Sequence, residues 1–184
     1  MIWLIVILAI LLLAVVALVL FYNNLVRLRN RVDNAWAQVE VQLKRRWDLI
    51  PNLVETVKGY AAHERETFDS VTQARANAQQ ARTPADTAQA EGILGAALGR
   101  LLAVAEAYPE LQADENFRQL QSELAETENR VAVSRQVYND SVLTYNNAIQ
   151  TFPGAVLAGP FGFTAREFFE VGEATQREAP TVAF

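Results

Sequence analysis

The chain has no cysteine and one histidine among its 184 residues. Without cysteine it forms no disulfide, performs no thiol chemistry and takes no lipid on an N-terminal cysteine. The lack fits a reducing compartment without requiring one. With His63 alone, neither a multi-histidine metal site nor a triad with a second histidine is available. Glu64 and Glu66 beside His63 leave weak metal binding or phosphoryl acceptance conceivable, but an ordinary solvated histidine is the simpler reading. Carboxylates scatter along polar faces, so no pair stands apart as general acid and base. Gly92, Gly95 and Gly99 are followed by Arg100-Leu101, where a phosphate loop needs lysine and a hydroxyl. At helical spacing these glycines share a face, read as a place where a neighbouring helix approaches closely. No catalytic, cofactor-binding or metal-binding residue is nominated, and an enzyme is not expected.

Charge is also missing, and in one place decisively. Ile2 to Tyr22 carries no charged side chain. Twenty-one residues at helical rise reach roughly 31 Å, the thickness of a bilayer's hydrocarbon core. Trp3 stands at one end and Phe21 with Tyr22 at the other, where amphipathic rings lie best. A cleaved secretory signal would open with Lys or Arg and end its shorter apolar run at a polar, small-residue site; neither is present. A buried core helix of such uniform apolarity is rare in a domain this small. Residues 1–22 are therefore expected to be a transmembrane anchor. That helix lacks a Gly-xxx-Gly face, so any self-association falls to the rest of the chain.

Basic residues set the orientation. None precedes the run, whereas Arg27, Arg29 and Arg31 follow it, against the single acid Asp33. The excess belongs on the cytoplasmic side, which puts the N-terminus outside and everything after Asn23 in the cytoplasm. The expected membrane-interface residues are Trp3, Phe21, Tyr22, Arg27, Arg29 and Arg31. Residues 27–47 hold six Lys or Arg and two acids, while residues 48–184 hold ten basic and nineteen acidic residues. The basic part adjoins the membrane, where anionic lipid attracts it. On a straight helix Lys44, Arg45 and Arg46 would lie about 33 Å beyond Tyr22, past the screening length. An acidic remainder argues against nucleic acid as a partner.

Beyond the anchor the pattern is helical, and no stretch longer than four residues alternates as a strand does. Leu25, Leu28, Val32, Ala35 with Trp36, Val39 and Leu43 form one stripe. No turn residue separates it from Tyr22, so the membrane helix is expected to continue into the cytoplasm. Pro51 predicts a kink or restart near Asp48, after which Leu53, Val57, Tyr60 and Ala61 carry the stripe on toward Phe68 and Val71. Thr83-Pro84-Ala85-Asp86 is a helix start, and Tyr108-Pro109 ends that helix near Ala107. Asp114 caps the longest pattern, in which Phe117, Leu120, Leu124, Val131, Tyr138, Val142, Tyr145, Ile149 and Phe152 recur at near-heptad, coiled-coil-like spacing. Phe152-Pro153-Gly154 stops it. The repeated Tyr138-Asn139 and Tyr145-Asn146 pairs place polar groups at or beside the seam, where they can fix register between helices.

The expected fold is all-α: an N-terminal transmembrane helix continuous with an antiparallel bundle of about four helices over residues 23–154. Residues 155–184 form a Phe-rich tail, read as a short helix or cap. Phe161, Phe163, Phe168 and Phe169 put four of nine phenylalanines into nine residues. They either close the end of the bundle or offer a contact to lipid or another subunit.

These segments resemble the LemA family of small bacterial membrane proteins over essentially the whole chain. The matching stretches are Tyr22 to Arg31, Val32 to Glu64, Tyr108 to Phe117, Leu120 to Arg130 and Phe161 to Glu170. The resemblance implies a single-pass anchor in the bacterial inner membrane and a mainly cytoplasmic antiparallel bundle. It implies no established enzymatic role, and the association of some members with magnetosome membrane formation makes membrane organisation the expectation by analogy. The first functional reading is a self-associating, homo-oligomeric scaffold that organises or shapes the membrane, with the lipid bilayer as partner. The second is an adaptor or regulator of another membrane protein, such as an envelope-stress protease or transporter. The third, an extracytoplasmic sensory bundle, needs the opposite orientation and a second membrane helix.

Overall fold

The computed structural model describes residues 1–170, and the remainder of the tail expected over 155–184 lies outside the described residues. It is all-α, with no strand among the described residues. Helix α1 spans Ile2–Lys58, α2 Arg65–Gln80, α3 Pro84–Glu106, α4 Pro109–Ala113, α5 Glu115–Gln150 and α6 Gly154–Leu157. The chain divides into two compact units, to both of which α1 and α5 contribute. One holds Met1–Gln38 with Gln136–Arg166, the other Val39–Arg135 with the segment from Glu167.

In the first unit α1 runs without interruption from the apolar N-terminal run into packed helix. Ile2 to Leu13 is exposed throughout, while Leu25, Val32 and Ala35 are buried, as the stripe predicts. Their counterparts on α5 are Tyr138, Val142, Tyr145 and Ile149, also buried. The rings of Trp36 and Tyr138 meet at 5.1 Å. Phe152, expected on the α5 seam, is instead 86% exposed, because α5 ends at Gln150 and the chain turns away. The turn brings the start of α6 so close to α5 that a Cβ on Gly154 would meet the Ala148 carbonyl oxygen. Only glycine fits there.

In the second unit α1, α2, α3 and α5 surround a core that includes Ile50, Leu53, Val57, Phe68, Val71, Leu94, Leu98, Leu101, Phe117 and Leu124. Short connections join α1, α2 and α3, as befits neighbouring helices of a bundle. Two helix starts follow from local chemistry. Thr83 Oγ1 accepts from the Asp86 amide at 3.1 Å with Pro84 at the first helical position. Asp114 Oδ1 accepts from the Phe117 amide at 2.9 Å, satisfying an otherwise orphaned donor of α5. The other oxygen of Asp114 accepts from the Tyr60 hydroxyl at 3.2 Å. The negative charge of Asp114 and this hydrogen bond hold the Tyr60 phenol above its ordinary value.

Two local expectations are corrected. α1 does not restart at Pro51 but continues to Lys58. Proline cannot donate to the carbonyl four residues earlier, which belongs to Trp47. Arg75 of α2 donates its Nε to that carbonyl at 2.7 Å, supplying the bond that Pro51 cannot make. The actual break comes later, between Lys58 and Arg65, and leaves Tyr60 exposed while Ala61 is buried.

Candidate functional site

Two places concentrate chemistry. The first lies in the unit that carries the apolar N-terminal run. Trp3 is exposed near the start of α1, Phe21 is half-buried, and Tyr22 is 39% exposed. Arg27 and Arg31 are exposed, whereas Arg29 is partly covered, its guanidinium 5.3 Å from the Phe163 ring centroid. That is cation–π distance. The Tyr22 ring meets Phe161 edge-on at 5.3 Å and Phe163 at 5.6 Å.

What holds the returning segment there is a set of hydrogen bonds from α5. The Asn146 side chain accepts from the Arg166 amide and donates to the Arg166 carbonyl, both at 2.9 Å. The Tyr145 hydroxyl donates to the Thr164 carbonyl at 3.0 Å, and burial pushes this phenol above its ordinary value. Arg166 also reaches Asp33 on α1 at 2.9 Å, a largely solvated pair worth little. The polar residues at 145 and 146 therefore pin an extended segment to a helix, where the sequence pattern pointed to register between helices.

The four tail phenylalanines have different fates. Phe163 and Phe169 are covered by their own chain, at 5% and 1% exposure. Burial removes these two from the expected surface for lipid or subunits. Phe161 and Phe168 present ring area outward.

The second place was not nominated from the sequence. Arg46 of α1 is buried and bridges two carboxylates. Its Nη1 lies 2.5 Å from Glu91 Oε2 of α3 and its Nη2 2.5 Å from Glu128 Oε1 of α5. The Trp47 indole donates to the second oxygen of Glu91 at 2.7 Å. A groove of about 340 Å³ opens beside the cluster, lined also by Gly92, Gly95, Val131, Arg135 and Phe169. Arg46 Nε finds no acceptor among the described residues. Burial raises the Glu91 carboxyl above the ordinary range, and Arg46 and the Trp47 indole only partly oppose it. With both oxygens occupied, Glu91 ties α3 to α1, and Arg46 extends the clamp to α5 through Glu128.

Burial sets Arg46 apart from the rest of the basic segment 27–47, and Glu91 leaves the expected solvated acids. A signal was present: Glu91 is the sole acid between Asp86 and Glu106 in an Ala-, Leu- and Gly-rich helix. The nearby glycines divide too. Gly95 lies against the Arg46 guanidinium, while Gly99 faces open space with no helix packed against it among the described residues. His63 is exposed in the turn before α2, and no group of three metal-ligating side chains occurs among the described residues.

The LemA family profile matches residues 35–184. The chain belongs to the LemA family. Similar proteins include Magnetosome protein MamQ 2 of Paramagnetospirillum magneticum, 29% identical over 85% of this chain and 67% of that protein. Magnetosome protein MamQ of Magnetospirillum gryphiswaldense is 29% identical over 84% and 66%. Protein LemA of Metamycoplasma hominis is 25% identical over 71% and 60%. The chain thus spans about two thirds or less of the length of these relatives. The profile begins after the apolar run, so the reading of that run as a membrane anchor rests on its own chemistry.

Proposed function

We propose that this LemA-family chain is a non-enzymatic scaffold of the bacterial inner membrane, anchored by one helix, self-associating, and acting on the organisation of the bilayer. The observation that carries the reading is the unbroken passage of α1 from an exposed, charge-free segment into packed helix. A flexible tether would need a linker there, whereas a continuous helix transmits position between membrane and protein. Relatives named as magnetosome proteins agree with a role at a membrane. The N-terminus lies outside and the helices from residue 23 lie in the cytoplasm, in keeping with Arg27, Arg29 and Arg31 beyond the anchor. Exposed Val133 and Val137, one turn apart on α5, give apolar area from which subunit contacts can be built.

Because the chain has no cysteine of its own, single cysteines test this directly. Cysteine at Ile2 should label with an impermeant thiol reagent in intact cells, and cysteine at Ser70 should not; the reverse pattern ends the cytoplasmic reading. A cysteine at Val133 or Val137 should give crosslinked dimers in native membranes at native expression. A strictly monomeric product refutes self-association, and a heterologous crosslinked band in its place favours an adaptor.

A further inference from the structure

We propose that the segment from Phe152 to Phe161 is a second membrane contact, seated in the headgroup layer beside the point where α1 leaves the bilayer. The inference rests on the reading of Ile2 to Tyr22 as a membrane span and goes beyond it by making the packed part of the chain touch lipid too.

The argument begins with depth. Tyr22 closes the apolar run, with Asn23 and Asn24 next and Arg27 the first charge, so its ring belongs at the membrane–water interface. The Phe161 ring lies 5.3 Å from it, less than or comparable to the roughly 5–8 Å of headgroup region on each side of the hydrocarbon core. With Tyr22 in that layer, Phe161 shares it.

Composition agrees. Ser141 to Ala165 carries no charged side chain, the longest such stretch after the N-terminal run. It includes the part of the chain that returns to Tyr22. Soluble proteins place loops in water and make them polar. Here Phe152 is 86%, Val156 65% and Phe161 45% exposed. The neighbouring fold accounts for Phe163, which is buried; it leaves these three outward. Gly162, at φ +71°, turns the backbone between outward Phe161 and inward Phe163. Arg27, exposed on the adjacent turn of α1, supplies the positive charge that anionic headgroups attract. Apolar side chains flanked by a basic residue fit a lipid surface; the position beside Tyr22 decides for the bilayer over a second copy.

The test uses full-length protein in phosphatidylcholine and phosphatidylglycerol vesicles, with one environment-sensitive fluorophore on a single introduced cysteine. The sites are Val19→Cys in the anchor, Phe152→Cys and Val156→Cys in the segment, and His63→Cys in the exposed turn. Lipids spin-labelled near the headgroup should quench the labels at 152 and 156 by about half or more, as for interfacially seated apolar side chains. Lipids spin-labelled along the chain should quench the label at 19, and neither set should quench the label at 63. Quenching at 19 with labels at 152 and 156 behaving like that at 63 overturns this inference alone. No quenching at 19 overturns the membrane span and the inference with it. A segment signal that disappears on dilution of protein into excess lipid assigns the contact to a second copy and also overturns it.

Discussion

Replacing Glu91 by alanine tests whether the buried cluster is a clamp. The substitution takes one of two carboxylates from Arg46 and the indole's acceptor from Trp47. Removing one partner of a buried ion pair costs about 3–5 kcal/mol, because the survivor stays desolvated and unpaired. Glu128, whose side chain is 44% exposed, still holds Arg46, so the low end, about 3 kcal/mol, is expected. For a chain of this size that lowers Tm by roughly 6–12 °C. Replacing both charges, as Arg46→Met with Glu91→Leu, leaves no buried ion but still takes the indole's acceptor, so it should cost about 1–2 kcal/mol, less than Glu91→Ala alone. The assay is thermal unfolding of the detergent-solubilised full chain, followed by circular dichroism. A Glu91→Ala shift of under about 2 °C, or a double variant no better than the single, would refute the clamp.

The pH dependence of the same site has a definite sign. The folded-state pKa of Glu91 is raised, with burial the largest cause, so the native state binds more protons than the unfolded one above the ordinary carboxylate value. Stability is then full below the unfolded pKa and declines as pH rises through the folded one. Glu91→Gln removes this dependence while keeping an acceptor for Trp47, so the wild-type Tm minus that of this variant should fall as pH rises from the ordinary carboxylate range toward neutrality; a difference that rises with pH contradicts the assignment. Arg75→Met should cost about 1–3 kcal/mol by orphaning the Trp47 carbonyl. Pro51→Ala should restore most of that loss in the Arg75→Met background, and additive effects in urea unfolding would show that the two are unrelated. Asn146→Ala removes two hydrogen bonds to Arg166, about 2 kcal/mol of local stability. Amide exchange at Arg166 should quicken by an order of magnitude or more, with α3 unchanged; equal acceleration in α3 would mean that the whole fold had loosened.

The features legible in the sequence are those made within a turn or two of chain. The long apolar N-terminal helix is one, since an uninterrupted charge-free run provides it, and the all-α class is another, since the apolar stripes repeat every three or four residues. The helix starts at Thr83-Pro84 and Asp114 are read correctly for the same reason: cap and capped amide are three residues apart. Pro51 shows where that locality ends. Its residue type predicts a kink or restart, but the helix does not restart there, and Arg75, arriving from another helix, occupies the carbonyl it leaves free.

The clamp and the tail were likewise settled by tertiary structure. Nothing next to Arg46 in the chain tells that it meets Glu91 and Glu128, 45 and 82 positions away, and a charge is buried only where such partners converge. Phe161 and Phe163 are two residues apart and chemically identical, yet one faces out and the other lies under Arg29. That choice depends on Tyr145 and Asn146 pinning the segment through its backbone at Thr164 and Arg166. Side-chain chemistry alone determined that this chain is helical and opens on a helix long and apolar enough to cross a membrane. Which charges are buried and which aromatic rings remain outside was decided only when distant segments packed, because burial is a property of neighbours in space.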